Sequence, residues 1–198
     1  GGFKELQEGL QNIELEVKAA GIRDSFLMGL LGHHQVKNAG LAVTAALVLA
    51  ESQPAIQLET IKEGLRCAVW PGRFEVVSRQ PMIIVDGAHN PDGARALRES
   101  LDAFYPEKNR VFLLGILRDK DQRGIIEQLI RREDRVVVTA PLSERAESPE
   151  HLAKEIHAGQ VEVVASIEEG VKRAREITGE EELLCIAGSL YLIGFVRT

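Results

Sequence analysis

PMIIVDGAHNPDGARALRESL, residues 81–101, carries two patterns in succession. Met82 to Val85 are four apolar residues in a row, as expected of a strand buried on both faces. The run that closes the stretch repeats alanine and leucine at helical spacing. Between the two stand Asp86, Gly87, Ala88, His89, Asn90 and Pro91. A buried strand that hands over directly to a helix is half of a crossover unit, so these polar residues fall where a strand ends.

The same pattern repeats downstream. Apolar segments MIIVDG, VFLLGI, RVVVTA, VEVVA and LLCIAG are separated by the helical stretches DGARALRESLDAF, QRGIIEQLIRR, SPEHLAKEIHAG and SIEEGVKRAREITG. Ser148-Pro149 is a helix start, with a capping hydroxyl, proline at the first helical position and Glu150 in the first turn. Continuous rather than alternating apolar strands imply burial on both faces, and alternation with helices implies parallel crossovers. The expected fold class is α/β, with a Rossmann-like, mostly parallel sheet and flanking helices.

Upstream the pattern differs. NIELEVKAAG and SFLMGLLG read as a pair of strands, HHQVKNAGLAVTAALVLAES as a helix apolar almost all round and therefore buried, and QLETIKEGLRCAV as a second helix with Leu58, Ile61 and Leu65 on one face. Pro71-Gly72 is a chain-turning pair ahead of the β-branched FEVVS. The chain thus divides into residues 1–69, a linker over 70–73, and 74–198. Its opening, Gly1-Gly2-Phe3 without methionine, suggests a piece of something larger.

With 24 basic and 30 acidic side chains, the net charge is -6. No basic run exceeds Arg131-Arg132, so a nucleic-acid surface is not expected. No apolar run reaches the roughly 18 residues of a membrane span, and no basic-then-apolar leader is present. Cys67 and Cys185 lack C-x-x-C partners, which argues against zinc and against a disulfide framework; each reads as a small buried hydrophobe. The setting expected is reducing and cytoplasmic, and the chain is expected to be a monomer.

Ligands of such sheets bind outside the carboxyl ends of the strands. After the first parallel strand come Asp86, His89 and Asn90; after the second, Arg118, Asp119, Lys120 and Asp121; after the third, Thr139 and Ser143; after the last, Ser189 and Tyr191. Each has a plainer explanation. Asp86 is a helix-capping type, His89 a common loop residue, Lys120 part of a solvated charge cluster, and Ser189 an N-cap. Their coincidence along one edge is what singles them out. A phosphate cradle is missing: there is no G-x-x-x-x-G-K-[ST], and Gly87 to Gly93 do not space as G-x-G-x-x-G. No serine-hydrolase order or H-E-x-x-H motif is present either.

LLGHHQVKNAGLAVTAALVL, WPGRFEVV, IIVDGAHNPDGARAL, GILRDKD and AGSLYLIG occur in this order and spacing in the folylpolyglutamate synthase/dihydrofolate synthase family of the Mur ligase superfamily, and the chain resembles that family from about Phe26 onward. The resemblance implies that residues 1–69 are the tail of a central ATP-binding domain and 74–198 a C-terminal Rossmann-like glutamate ligase domain. It implies a ligase that uses ATP to phosphorylate a folate or dihydropteroate carboxylate, which the amine of L-glutamate then attacks. This chain is expected to be inactive alone.

By the same resemblance Asn38 would hydrogen-bond adenine, Arg73 the ATP phosphates and Asp86 the ribose. His89 would lie beside the phosphoryl position, with Ser189 as a second catalytic residue. Ser189, Tyr191 and Lys120 would face glutamate. No metal ligands are expected here, the Mg2+ ligands lying upstream of Gly1, and His33-His34 is not a metal pair. Two alternatives stay open: a Mur-type ligase adding an amino acid to a cell-wall precursor, and a non-catalytic nucleotide-binding α/β module.

Overall fold

The structure is a computed structural model that describes residues 3–5, 13–19 and 22–197. It divides into two compact units, Gly1–Pro71 and Gly72–Thr198. No helix among the described residues is long and apolar enough to cross a membrane.

In the first unit, strands β1 (Phe3–Glu5), β2 (Ile13–Ala19) and β3 (Ile22–Met28) form an antiparallel sheet in that order. Helices α1 (His33–Ala50) and α2 (Leu58–Arg66) follow. Helix α1 departs from the expected burial all round. Gln35, Ala39, Val43 and Leu47, four apart, are buried, whereas Leu41, Val48 and Leu49 are 74%, 54% and 55% exposed. One stripe of a helix meets its own unit's sheet, and an alanine-rich composition does not by itself cover the others. Cys67 also departs from expectation: it is exposed at the end of α2, its Sγ 3.0 Å from Glu63 Oε1. Cys185 is buried.

The second unit is a six-stranded sheet. Its strands are β4 (Glu75–Arg79), β5 (Met82–Val85), β6 (Arg110–Leu114), β7 (Arg135–Val138), β8 (Gln160–Val163) and β9 (Leu183–Ala187). The order is β4-β5-β9-β6-β7-β8. Strand β4 is antiparallel to β5, and every other pairing is parallel. Helices α3 (Pro91–Phe104), α4 (Gln122–Leu129), α5 (Pro149–Glu155), α6 (Ile167–Ile177) and α7 (Leu190–Arg197) fill the connections.

The last strand, β9, inserts between β5 and β6, so all five of its residues are buried. Alternate side chains point to opposite faces. One face contributes Ile83, Val85, Val111, Leu113, Val137, Leu184 and Ile186 to a core closed by Ile167 and Ala174 of α6 and Leu192 and Ile193 of α7. Each valine, leucine or isoleucine among them contributes about 1.5–3 kcal/mol by burial. The two edge strands are the exceptions to two-sided burial: β4 pairs only with β5 and β8 only with β7, and neither has a fully buried residue.

Local sequence sets the helix starts. Asn90 caps α3, its Oδ1 accepting from Gly93 N at 2.7 Å with Pro91 at the first position. Asp121 caps α4, Ser148 α5 and Ser166 α6. Each cap satisfies an amide that the helix leaves without a partner, contributing about 1 kcal/mol.

Candidate functional site

The turns after β5, β6, β7 and β9 converge at the carboxyl edge. There His89, Leu117, Lys120, Arg145, Ser189, Leu190 and Tyr191 line a cavity of about 390 Å³. The insertion of β9 is what brings the first and last of these turns together. Gly188 makes the close approach possible: it stands at φ 105°, and a Cβ on it would lie 2.8 Å from the carbonyl oxygen of Gly115.

His89 is half-buried, and its Nδ1 lies 2.8 Å from the carbonyl oxygen of Gly87. A carbonyl can only accept, so Nδ1 carries the proton and the neutral ring presents Nε2 as an acceptor. Lys120, next along the wall, is 3.7 Å from Asp119. Tyr191 is exposed, and its hydroxyl accepts from Arg145 at 3.3 Å.

Ser189 lines the cavity but is only 1% exposed. Its Oγ accepts from Tyr191 N at 3.1 Å and Leu192 N at 3.2 Å, so it caps α7. The hydroxyl proton stays available to donate.

Asp86 sits behind this wall, 3% exposed. Its Oδ2 accepts from Phe74 N at 2.7 Å and its Oδ1 from Ala88 N at 2.8 Å. Burial pushes its carboxyl up, while these two amides and the charge of Arg73 pull it back. Asp86 does not cap α3, a task Asn90 performs. Its first engagement is with the chain entering the unit, where Gly87 N also donates to Gly72 O at 2.8 Å. Arg73 lies in this segment and is half-buried.

The structure therefore brings His89, Lys120, Ser189 and Tyr191 into one cavity, and places Asp86 and Arg73 together at the entrance to the same unit. Asn38 belongs to the other unit; it is exposed on α1 and donates to Gln35 Oε1 at 3.0 Å. Arg145 escaped the sequence reading. That reading inspected Thr139 and Ser143 after β7 and stopped two residues short. Among the described residues no three His, Cys, Asp or Glu side chains converge as a metal site would require.

Residues 72–190 match the family model described as Mur ligase, glutamate ligase domain. A probable bifunctional folylpolyglutamate synthase/dihydropteroate synthase of Haloferax volcanii is 34% identical over 100% of this chain, which spans 23% of that protein. The folylpolyglutamate synthase of Lacticaseibacillus casei is 32% identical over 85% of this chain and 39% of its own length. A Mycobacterium tuberculosis folylpolyglutamate synthase structure, complexed with ADP and AMPPCP, superposes with a TM-score of 0.84 at 28% identity, covering 98% of this chain and 46% of that one. The chain thus spans less than half the length of each of these relatives.

Proposed function

The chain belongs to the Mur ligase family through its glutamate ligase domain, and we propose that it supplies the amino-acid half of an ATP-dependent ligase joining L-glutamate to a folate or dihydropteroate. When bound, ATP would supply the phosphoryl group that activates the acceptor carboxylate. Arg73 is proposed to meet the nucleotide's phosphates and Asn38 its adenine. The Mg2+ that such a ligase uses is assigned no ligand among the described residues.

The observation that carries this reading is the contact of His89 Nδ1 with the Gly87 carbonyl, in a cavity that Lys120 and Arg145 also line. Amide formation needs a neutral amine, so the ammonium group of an amino acid must give up a proton. His89 presents Nε2 for that proton because Gly87 occupies Nδ1. Lys120 and the Tyr191 hydroxyl would hold the amino acid's carboxylate against the cavity wall, and Ser189 would donate to it. Holding the amine at its acceptor is a positioning effect, and taking the proton contributes about 10² to 10⁴ in rate. Asp86 acts on the nucleotide side through the segment it holds, and the ribose contact implied by resemblance would use its remaining lone pairs.

The test is an assay of the full-length protein that contains this chain, following folate-dependent incorporation of labelled L-glutamate and release of ADP. His89→Ala should lower turnover by about 10² or more while leaving binding of the nucleotide unchanged. An unaltered turnover, or incorporation that needs no folate acceptor, would sink the reading.

A further inference from the structure

Two helices of the second unit begin alike. Asn90 caps α3 and Asp121 caps α4, and in each the capped amide belongs to a glycine at the third helical position, Gly93 and Gly124. Glycine is a poor choice inside a helix, because the chain loses the most freedom there. A Cβ on Gly93 would have its nearest neighbours in the turn that leads into its own helix, Asn90 Oδ1 at 3.1 Å and Ala88 Cα at 3.5 Å. Gly124 is different. A Cβ there would lie 2.7 Å from Cγ of Pro91, the first residue of α3, as well as against the carboxylate of its own cap, Asp121. Carbon atoms in contact sit about 3.5–4.0 Å apart, so α4 rests on the proline ring roughly 1 Å closer than a side chain would permit.

The other ends of the two helices are fastened as well. Arg98 of α3 donates to the carbonyl of Leu129, at the end of α4, at 3.2 Å, and to Asp134, just ahead of β7, at 2.7 Å. The side chains of Arg98 and Asp134 are buried, so solvent does not compete for the bond. Helix α4 is therefore mounted on α3 at two points, one ionic and one steric. The residues just ahead of the two helices belong to the cavity: His89 precedes the cap of α3 and Lys120 the cap of α4. The loop of Lys120 is braced again by the loop after β7, where Arg118 N donates to the Arg145 carbonyl at 2.8 Å and Gln122 Nε2 to Glu147 at 2.8 Å.

We propose that Gly124 is a positioning residue: by leaving room for Pro91 it sets how far apart His89 and Lys120 stand across the cavity. The inference rests on the reading of this cavity given above, in which His89 takes a proton from the molecule that Lys120 holds. Both then act on one ligand, so their separation must match it. A misplacement of about 1 Å can cost 10²-fold in rate even where the altered residue is remote from the chemistry. Gly124 does not line the cavity and acts through Pro91.

The test is a mutant cycle on Gly124 and Pro91 in the full-length protein that contains this chain, read as turnover and as the Michaelis constants for L-glutamate and ATP. Gly124→Ala should lower turnover about tenfold to 10²-fold and raise the glutamate constant several-fold, leaving the ATP constant unchanged. Mere loss of folded protein would scale turnover and move neither constant. Pro91→Ala, which clears Cγ and leaves the cap in place, should retain most of the parental turnover. Added to Gly124→Ala, it should restore turnover nearly to that of Pro91→Ala alone, because the two residues meet in one contact. If the added methyl acts through Asp121 instead, Pro91→Ala restores nothing, and that result would overturn the proposal. So would parental turnover in Gly124→Ala, or a fall in turnover with the glutamate constant unmoved. Should Gly124→Ala alone fail to fold, the double variant carries the test: folding with near-parental constants supports the contact, and a second failure to fold makes Gly124 a structural residue only. His89→Ala keeps the two readings apart. If it abolishes turnover while Gly124→Ala does not lower it, the cavity reading stands and the positioning fails; if His89→Ala has no effect, the cavity reading falls and the positioning with it.

Discussion

The carboxylate of Asp86 accepts the amide of Phe74, twelve residues earlier, at 2.7 Å, and so ties the end of β5 to the chain entering β4. Phe74 stands at φ 44°, a left-handed conformation that costs a residue with a β-carbon roughly 1 kcal/mol or more. Burial of its ring, 1% exposed and 5.7 Å from the ring of Phe104, offsets part of that cost. Asp86→Ala would leave the buried amides of Phe74 and Ala88 without acceptors, a loss of about 2–4 kcal/mol. Asp86→Asn keeps one acceptor but turns an NH2 toward an N–H, so it should recover no more than half. Amide hydrogen exchange is the measure: Phe74 and Ala88 should lose protection, and unchanged protection would refute the clamp.

Acid should loosen a different place. Glu162 on β8 is held below the ordinary glutamate value of 4.5, chiefly by its hydrogen bond to Arg173 of α6 at 2.6 Å. A depressed carboxylate stabilises the fold above its unfolded value, and that contribution is lost as pH falls through the folded one. Asp86 has the opposite sign: its raised value makes its contribution largest at low pH. Between pH 5 and pH 3, therefore, protection should fall at Val161 to Val163 earlier than at Met82 to Val85. Glu162→Gln should remove that difference, and equal loss on both strands would count against it.

The tautomer of His89 is open to direct observation. With Nδ1 given to the Gly87 carbonyl, the nitrogen-15 shifts at alkaline pH should show Nδ1 protonated and Nε2 bare, the reverse of the form free histidine favours. A spectrum with the proton on Nε2 would remove His89 as an acceptor for the amine.

Much of this was legible in the sequence because it depends on neighbours along the chain. Met82 to Val85 and Leu183 to Ala187 announce buried parallel strands by unbroken apolar composition, and Ser148-Pro149 announces α5. What the sequence could not show depends on partners far apart. Nothing in DGAHNP says that both oxygens of Asp86 are taken by main-chain amides, one of them at Phe74. Nothing in LSERAES says that Arg145 is anchored by Arg118, 27 residues earlier (145 − 118), because the two loops meet only once β6 and β7 pair. The exposure of Leu41, Val48 and Leu49 is of the same kind, since composition reports how apolar a helix is and not which side is covered.

Gly188 is a sensitive position for the cavity as a whole. At φ 105°, with a Cβ 2.8 Å from the Gly115 carbonyl, Gly188→Ala combines backbone strain with a clash against main chain. The expected cost is about 2–4 kcal/mol. Since Ser189 and Tyr191 follow directly, the cavity should deform with it. A melting temperature unchanged from the parent chain would show that the turn has room to relax.

The final prediction concerns how Asp86 and Arg73 share one task. Arg73 lies in the segment that Asp86 secures through Phe74, and its charge is among those that draw the Asp86 carboxyl down against burial. If Arg73 meets the phosphates, it acts where negative charge gathers during phosphoryl transfer. Arg73→Ala in the full-length protein should then lower turnover by about 10² to 10³, or roughly 2–4 kcal/mol. Asp86→Ala should lower turnover too, because a loosened segment delivers the guanidinium poorly, although Asp86 itself need touch nothing that reacts. Two residues that act through one contact are not additive, so the double variant should be little worse than Arg73→Ala alone. If Asp86 instead binds ribose independently of Arg73, the two losses should add, with that of Asp86→Ala appearing in the Michaelis constant for ATP rather than in turnover. Additive losses would thus separate the two residues and return Asp86 to the nucleotide, while an unaltered turnover in Arg73→Ala would leave the segment a structural connection only.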